Sequence, residues 1–410
     1  MNISQPQLRT SSTAARVCST FTYANGEKHE VFYETAPEFS KYLVSEVCDA
    51  FLVAALLPAL VNGEDIYVES VSDRLRYNFD PLMYLLGKVF HYNPVKLHAK
   101  EVLHINFNPQ AVGTGFSGGV DSLSTYLEHT SEQCPENMRV NHLALFNVGS
   151  YGNDPQKTTQ NFTSDFERAT KFATEVNVPL IPLHSNISSI YVHKDIFHYS
   201  LRSTLCLSSA ILSLQKLFRL YYISSTGTID NVMLSNKEQY HYENLFIQRL
   251  CTTSTDIMIS EVHYDRVEKT KKLLQSELTR KHLYVCNADL MNEKWGEKNE
   301  KEGFLNCSEC FKCVRTLLTL DLLGKLDEYG NLFNLEKYRR SKDAHILKMY
   351  QQKGYDHFQQ EIYTLFKERG AQFTPEQQRL INAWERKQWP QKIYRKTRAI
   401  CGKIVRKLFS

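Results

Sequence analysis

The stretch Ala111-Val112-Gly113-Thr114-Gly115-Phe116-Ser117-Gly118-Gly119-Val120-Asp121-Ser122 decides how this chain is read. Ala111 to Phe116 has the length and texture of a buried strand, and Asp121 to His129 continues with helical spacing. Between them two glycines allow a tight turn that brings successive backbone N–H groups toward one point. The helix that opens there adds its own unpaired N–H groups and the positive end of its dipole. Ser117 and Ser122 place hydroxyl donors beside those amides. Asp121 would repel a phosphate directly, so its sensible role is to hold a magnesium ion bridging phosphate oxygens. All six residues, Ser117, Gly118, Gly119, Val120, Asp121 and Ser122, therefore predict a phosphate-binding loop.

Outward from this loop the same texture repeats. Strands are expected over Ala111 to Phe116, His142 to Val148, Pro179 to His184 and Leu220 to Ser224. Helices are expected over Asp121 to His129, Thr163 to Val176 and Thr204 to Phe218. This alternation predicts an α/β fold with a parallel sheet covered by helices, spanning residues 106–330. Residues 1–105 mix strand-like runs (Ala15 to Tyr23, Ile66 to Val71) with apolar helical patches (Phe39 to Val61, Pro81 to Phe90), and predict an N-terminal α+β accessory domain. Residues 331–410 predict a helical region ending in a basic amphipathic tail. In that tail Ile393, Thr397, Ile400, Ile404 and Leu408 recur at helical spacing among Lys and Arg.

Composition narrows the class. Apolar residues make up 42% and charged residues 23% of the 410, a balance that excludes a disordered or collagen-like chain. The formal charge of +4 is too small to mark a nucleic-acid binder, but it is uneven: from Ile381 on the chain carries about +8, the rest about −4. Such a tail suits an RNA phosphate backbone, an anionic surface, a protein partner or the acidic body of its own chain. Met1 to Ala15 is polar, with no apolar run of a secretory signal. The apolar stretch Ala50 to Val61 is too short to span a membrane and contains Pro58, so it predicts a buried helix. A cytoplasmic protein without a transmembrane segment is expected; oligomeric state is not legible.

Of ten cysteines, three fall in Cys307-Ser308-Glu309-Cys310-Phe311-Lys312-Cys313, while Cys18, Cys48, Cys134, Cys206, Cys251, Cys286 and Cys401 are scattered. That is no disulfide framework; it suggests a reducing compartment and one metal site. Two residues between thiolates let both point at one ion. Zinc takes four ligands, and Cys286, ending Leu283-Tyr284-Val285-Cys286, is the nearest candidate for the fourth, with His282 as the substitute. The same cluster also suits an iron–sulfur centre or redox-active thiols. Among other polar groups, His184, His193, His198, His241, His263, His282 and Asp230 are candidates for acid–base or substrate contacts.

The hexapeptide Ser117 to Ser122 resembles the SGGxDS loop of the N-type ATP pyrophosphatases, the PP-loop family. The GxxxxGK[ST] pattern of Walker-type hydrolases is missing. The resemblance extends to the 7-cyano-7-deazaguanine synthases. Cys286 followed by Cys307, Cys310 and Cys313, with Arg315 after them, is similar to their zinc ligands and the basic residue beyond; Arg266-Val267-Glu268-Lys269-Thr270 and Arg202 also have counterparts. This resemblance covers roughly residues 110 to 320. It implies a HUP-type (adenine nucleotide alpha hydrolase-like) core binding ATP and Mg2+, with a four-cysteine segment binding Zn2+. Ser117, Asp121 and Ser122 would act in catalysis, and Phe146, Asn147 and Arg202 would help hold the nucleotide. It further implies adenylation of a carboxylate or amide oxygen, pyrophosphate release, and attack by ammonia or an amine.

The chain departs from those compact synthases in four places. The Cys286 to Cys307 spacer holds 20 residues, including the charged insert Glu293 to Glu302. Ser150-Tyr151-Gly152-Asn153 differs from the usual motif, and both terminal regions are additional. The expected substrate is thus a small molecule or modified base of unfixed identity. Two other readings use the same residues: a PP-loop RNA sulfurtransferase, or a non-catalytic nucleotide-binding interaction protein.

Overall fold

The computed structural model describes residues 1–151, 155–191, 199–286 and 303–388. The basic tail with Trp389 and Cys401, the Glu293 to Glu302 insert, His193, His198, Gly152 and Asn153 lie outside the described residues. The chain divides into two compact units, one formed by Met1–Val285 and the other holding Cys286 and the described residues from 303 onward.

The first unit is built on one mixed sheet, 11-stranded among the described residues. In chain order its elements begin with β1 (Asn2–Ile3), β2 (Gln7–Thr10), β3 (Ala15–Thr22), β4 (Lys28–Thr35), α1 (Asp49–Asn62), β5 (Ile66–Ser72), α2 (Asp73–Phe90) and β6 (Leu97–Leu103). There follow β7 (Ala111–Gly115), α3 (Val120–Glu128), β8 (His142–Asn147), α4 (Pro155–Glu175), β9 (Leu180–Ser185), α5 (Tyr199–Ser213), β10 (Phe218–Ser224), α6 (Glu243–Phe246), β11 (Asp256–Ser260), α7 (Arg266–Leu273) and α8 (Glu277–His282). The sheet order is β11-β10-β7-β8-β9-β4-β3-β1-β5-β6, with β2 pairing β3 off this path.

From β11 to β9 every pairing is parallel. Numbered along the chain, these five strands lie in the order 3-2-1-4-5, a doubly wound arrangement whose order reverses between β7 and β10. Ligands of such sheets bind beyond the carboxyl ends of the strands at that reversal. The four strands expected from sequence are all present, and β11, which was not expected, completes the parallel set.

The boundary expected near residue 105 falls inside the first unit, and the one near 330 inside the second. The first shift has a physical cause. β9 would otherwise end the sheet, but β4 pairs with it antiparallel, Tyr33 opposite Ser185 and Glu34 opposite His184. Ser185 Oγ donates to Phe32 O (2.6 Å) and Thr35 Oγ1 to Pro182 O (2.6 Å). On one face α1 packs against α5, joining Phe51, Leu52, Leu205, Cys206 and Ala210 in a single apolar core. The N-terminal residues therefore extend the sheet.

The expected helix Phe39 to Val61 is divided. A 3-10 turn over Pro37–Tyr42 gives way to extended backbone, and α1 starts only at Asp49. That carboxylate is wholly buried and accepts from Ser72 N (2.9 Å) and Gln215 Nε2 (3.1 Å). Burial pushes the Asp49 carboxyl above its ordinary range. α1 is buried along nearly its whole length and contains Pro58, which cannot donate to the Ala54 carbonyl one turn earlier. The hydroxyl of Tyr191 donates to that carbonyl instead (2.8 Å). No described helix is long and apolar enough to cross a membrane.

In the second unit Cys307, Cys310 and Cys313 precede and open α9 (Phe311–Leu322). α10 (Leu335–Gln352), α11 (His357–Glu368) and a helix over 375–388 follow, as the helical expectation for this region required. Side-chain oxygens of Asn334 and Asp356 cap α10 and α11 by accepting from Lys337 N and Gln359 N.

Tyr191→Phe keeps the ring but leaves the buried Ala54 carbonyl without its donor. Urea unfolding should show a loss of about 1–2 kcal/mol, whereas Tyr355→Phe, at an exposed position, should change nothing measurable.

Candidate functional site

β7 ends at Gly115, and the chain turns through Ser117 and Gly118 into α3 at the sheet's reversal point. Gly118 has φ of +75°, in the left-handed region. A Cβ there would also lie 3.2 Å from the His282 carbonyl oxygen and 3.4 Å from Tyr284 Cβ. The close approach is made by a backbone bond, Tyr284 N donating to Gly118 O at 2.8 Å. Ser117 Oγ and Ser122 Oγ lie 3.2 Å apart, and Ser122 Oγ donates to Gly119 O (3.2 Å). The first-turn amides of α3 open at the same point, because no side chain caps that helix.

Asp121 meets the start of α7. Arg266 Nη2 donates to its Oδ2 at 2.6 Å. Its Oδ1 is buried with no hydrogen-bond partner among the described residues and faces Lys269 Nζ at 3.7 Å. Lys269 is almost wholly buried, and its ammonium donates to Ser225 O and Ser225 Oγ, both at 2.7 Å. One lysine thus touches the loops after the first and fourth parallel strands. α7 begins here because Asp265 and Glu268 form a reciprocal capping box. Sequence reasoning matched Arg266 and Lys269 to a family stretch but did not place them at the loop; two basic residues in the first turn of a capped helix were the available signal.

A cleft of about 410 Å3 opens beyond these strand ends. Ser117, Asp121 and Ser122 line one part of it, and Phe116, Phe146, Tyr151 and Tyr221 give it apolar walls. The rings of Phe146 and Tyr221 stack at 5.8 Å with 17° between planes. Elsewhere Ser203 and Gln239 contribute polar atoms, backed by Glu243. That carboxyl is fully buried and accepts from Gln239 Nε2 (2.6 Å) and Thr204 Oγ1 (2.8 Å), and burial raises its pKa.

Not every expected residue reaches the cleft. Asn147 is buried, its amide 2.8 Å from His184 Nδ1. Arg202 is also buried, over the Tyr191 ring with Nη1 donating to Ser188 O (3.3 Å), and its neighbour Ser203 lines the cleft instead. Asp230 is exposed in a 3-10 turn. His282 pairs with Glu175 at 2.8 Å, and burial lowers the pKa of His184 and His241. His129, at the C-cap of α3, stacks on Tyr222 at 3.5 Å, and burial pulls it down to about 4, so it is uncharged at neutral pH.

In the second unit the thiols of Cys286, Cys307, Cys310 and Cys313 all lie within 4.8 Å of one another. Cys307 and Cys313 Sγ are 3.7 Å apart, Cys310 and Cys313 Sγ 3.4 Å. No disulfide joins the described cysteines. With metal–sulfur bonds of about 2.3 Å, the edges of a zinc tetrathiolate tetrahedron are about 3.8 Å, close to these separations. Backbone amides stabilise the sulfurs: Cys310 N donates to Cys307 Sγ (3.1 Å) and Cys313 N to Cys310 Sγ (3.5 Å). The neighbouring thiol of Cys286, with Glu309 N donating to Cys307 Sγ and Cys313 N to Cys310 Sγ, holds Cys307 and Cys310 below the ordinary thiol range, while burial pushes the Cys313 thiol up. The cluster could hold a metal ion such as zinc. Asn306, unremarked in the sequence, brings Cys286 in: its Oδ1 accepts from Cys286 N at 3.1 Å. Arg315 lies half a turn on, its guanidinium 4.0 Å from the Phe358 ring.

No family model, curated protein or solved structure matches the chain.

Cys310→Ser should lose the metal and lower the melting temperature, because a structural zinc site contributes roughly 10 kcal/mol to folding its segment. Cys251→Ser, at a buried thiol bonded to Ile257 O in the other unit, should keep full metal content by elemental analysis.

Proposed function

We propose that this chain is an ATP-dependent ligase of the PP-loop type, a divergent relative of the 7-cyano-7-deazaguanine synthases. ATP binds with its phosphates on the Ser117 to Ser122 loop. An oxygen of a carboxylate or amide attacks the α-phosphorus, the bond to the bridging oxygen breaks, and pyrophosphate leaves. Ammonia or an amine then displaces AMP. The observation that carries this reading is the convergence of the SGGVDS turn, the α3 N-terminus, Arg266 and Lys269 at the order reversal of a parallel 3-2-1-4-5 sheet. Fixed amides and cations at that point would stabilise charge developing on the departing pyrophosphate without reorganising.

Asp121 fits a magnesium ligand on its own geometry, since Oδ2 is engaged by Arg266 while Oδ1 lacks a hydrogen-bond donor. Bound there, the ion would neutralise phosphate charge. Ser117 and Ser122 supply hydroxyls at the loop, and the Phe146 and Tyr221 rings offer the flat apolar surface an adenine needs. The tetrathiolate would hold Zn2+ in a structural role, because four sulfurs leave no open coordination position. This favours ligation over a cysteine-based sulfur relay.

The test is the identity of the products. With ATP, magnesium, ammonia and a panel of deazapurine acids, the chain should release AMP and pyrophosphate, and Asp121→Ala should slow this by about 100-fold or more. Formation of ADP and inorganic phosphate, or failure of the wild-type chain to bind ATP, would overturn the reading.

A further inference from the structure

Glu261 follows β11 immediately, and its backbone has φ of +54°, a left-handed conformation that a non-glycine residue adopts only against steric strain. Such strain persists where the surroundings over-determine it. Here the surroundings are two helices. The turn aims the fully buried carboxylate between α3 and α7, where Oε1 accepts from Ser124 Oγ (2.8 Å) and Lys272 Nζ (2.6 Å). Oε2 accepts from Thr125 Oγ1 (3.3 Å). The Glu261 carbonyl also accepts from Ser225 Oγ at 3.2 Å, the hydroxyl that receives Lys269.

These contacts sit one turn beyond the loop. Ser124 and Thr125 are three and four residues after Asp121 on α3, and Lys272 is six after Arg266 and three after Lys269 on α7. The helices are therefore joined at successive levels: Asp121 to Arg266 and Lys269, then Ser124 and Thr125 through Glu261 to Lys272, and last Glu128 to Lys272. At the first level Asp121 and Arg266 are each about a fifth exposed, while Lys269 is almost wholly buried. The carboxylate at the second level is dry, and its three donors fix its place.

From this we infer that Glu261 is a positioning residue: it sets the spacing of α3 and α7, and through it the separation of Asp121 from Arg266 and Lys269 at the phosphate loop. The inference rests on the nucleotide reading for its functional consequence, but the spacing it describes exists without a ligand. Glu261 touches neither the loop nor the cleft lining; it acts through the helices.

Two measurements on the full-length chain test it. In the first, melting temperatures are compared for Glu261→Gln, Asp121→Asn and the double variant. If Glu261 holds the Asp121 pair in register, Asp121→Asn costs less once Glu261 is gone, and the double variant melts at least about 2 °C above the additive expectation. Strict additivity would overturn the inference. In the second, magnesium ATP and adenosine are titrated into the same proteins. Glu261→Gln should weaken ATP about 10-fold and leave adenosine within 2-fold; equal weakening of both ligands would reveal a merely structural role and also overturn it. If the wild-type chain binds neither ligand, the nucleotide reading fails while the melting cycle still decides the positioning role. Should Glu261→Gln not fold, Ser124→Ala with Thr125→Val removes two of the three donors, and the same outcomes apply.

Discussion

The carboxylate of Asp121, held by Arg266 at 2.6 Å and facing Lys269 at 3.7 Å, ties the first turn of α3 to the first turn of α7. Much else follows from that junction. It requires a tight turn after β7, which Gly118 supplies in a left-handed conformation that its close neighbours leave no room to crowd. It requires α7 to start beside β11, which the Asp265–Glu268 capping box provides. The buried Lys269 also reaches Ser225, so the loops after the first and fourth parallel strands are joined where their order reverses. A crevice at that reversal is where a doubly wound sheet offers backbone amides to a ligand.

Support for the junction comes from the rest of the first unit. The stacked Phe116 and Phe172 rings, 4.0 Å apart, hold α4 near the loop on one side of the sheet. On the other side α1 and α5 share an apolar core, and the Tyr191 hydroxyl repairs the carbonyl that Pro58 leaves without a donor. The four-cysteine cluster belongs to the second unit and organises it locally: sulfur accepts amide hydrogens, and Asn306 bridges Cys286 to the turn.

Much of the parallel core was legible because its strands are continuous apolar runs punctuated by glycine, and the loop because its residues are consecutive. The CxxCxxC spacing pointed to its own thiols for the same reason. What the sequence hid depends on contacts between distant residues. β4, Lys-His-Glu-Val-Phe-Tyr-Glu-Thr, carries just three consecutive apolar residues between polar ones, and nothing local says it pairs with β9 across about 150 residues. Arg266 and Lys269 lie far along the chain from Asp121, and only the fold brings them together. Asn147 lies in the strand expected for it, and Arg202, expected just before a helix from Thr204, lies inside α5; their side chains turn to His184 and to Tyr191, a choice made by rotamers and neighbours. Glu261 carries no motif; its role comes from a strained backbone angle that no composition reveals.

On the proposed function, this junction and the adjoining amides form a polyphosphate site with an aromatic-walled cleft beside it. A crystal structure with magnesium and a non-hydrolysable ATP analogue tests it most directly. The phosphates should lie on the amides of residues 117–122 with the metal on Asp121 Oδ1 and the base against Phe146 or Tyr221. Analogue density elsewhere on the chain, with the Ser117 to Ser122 loop empty, would contradict it.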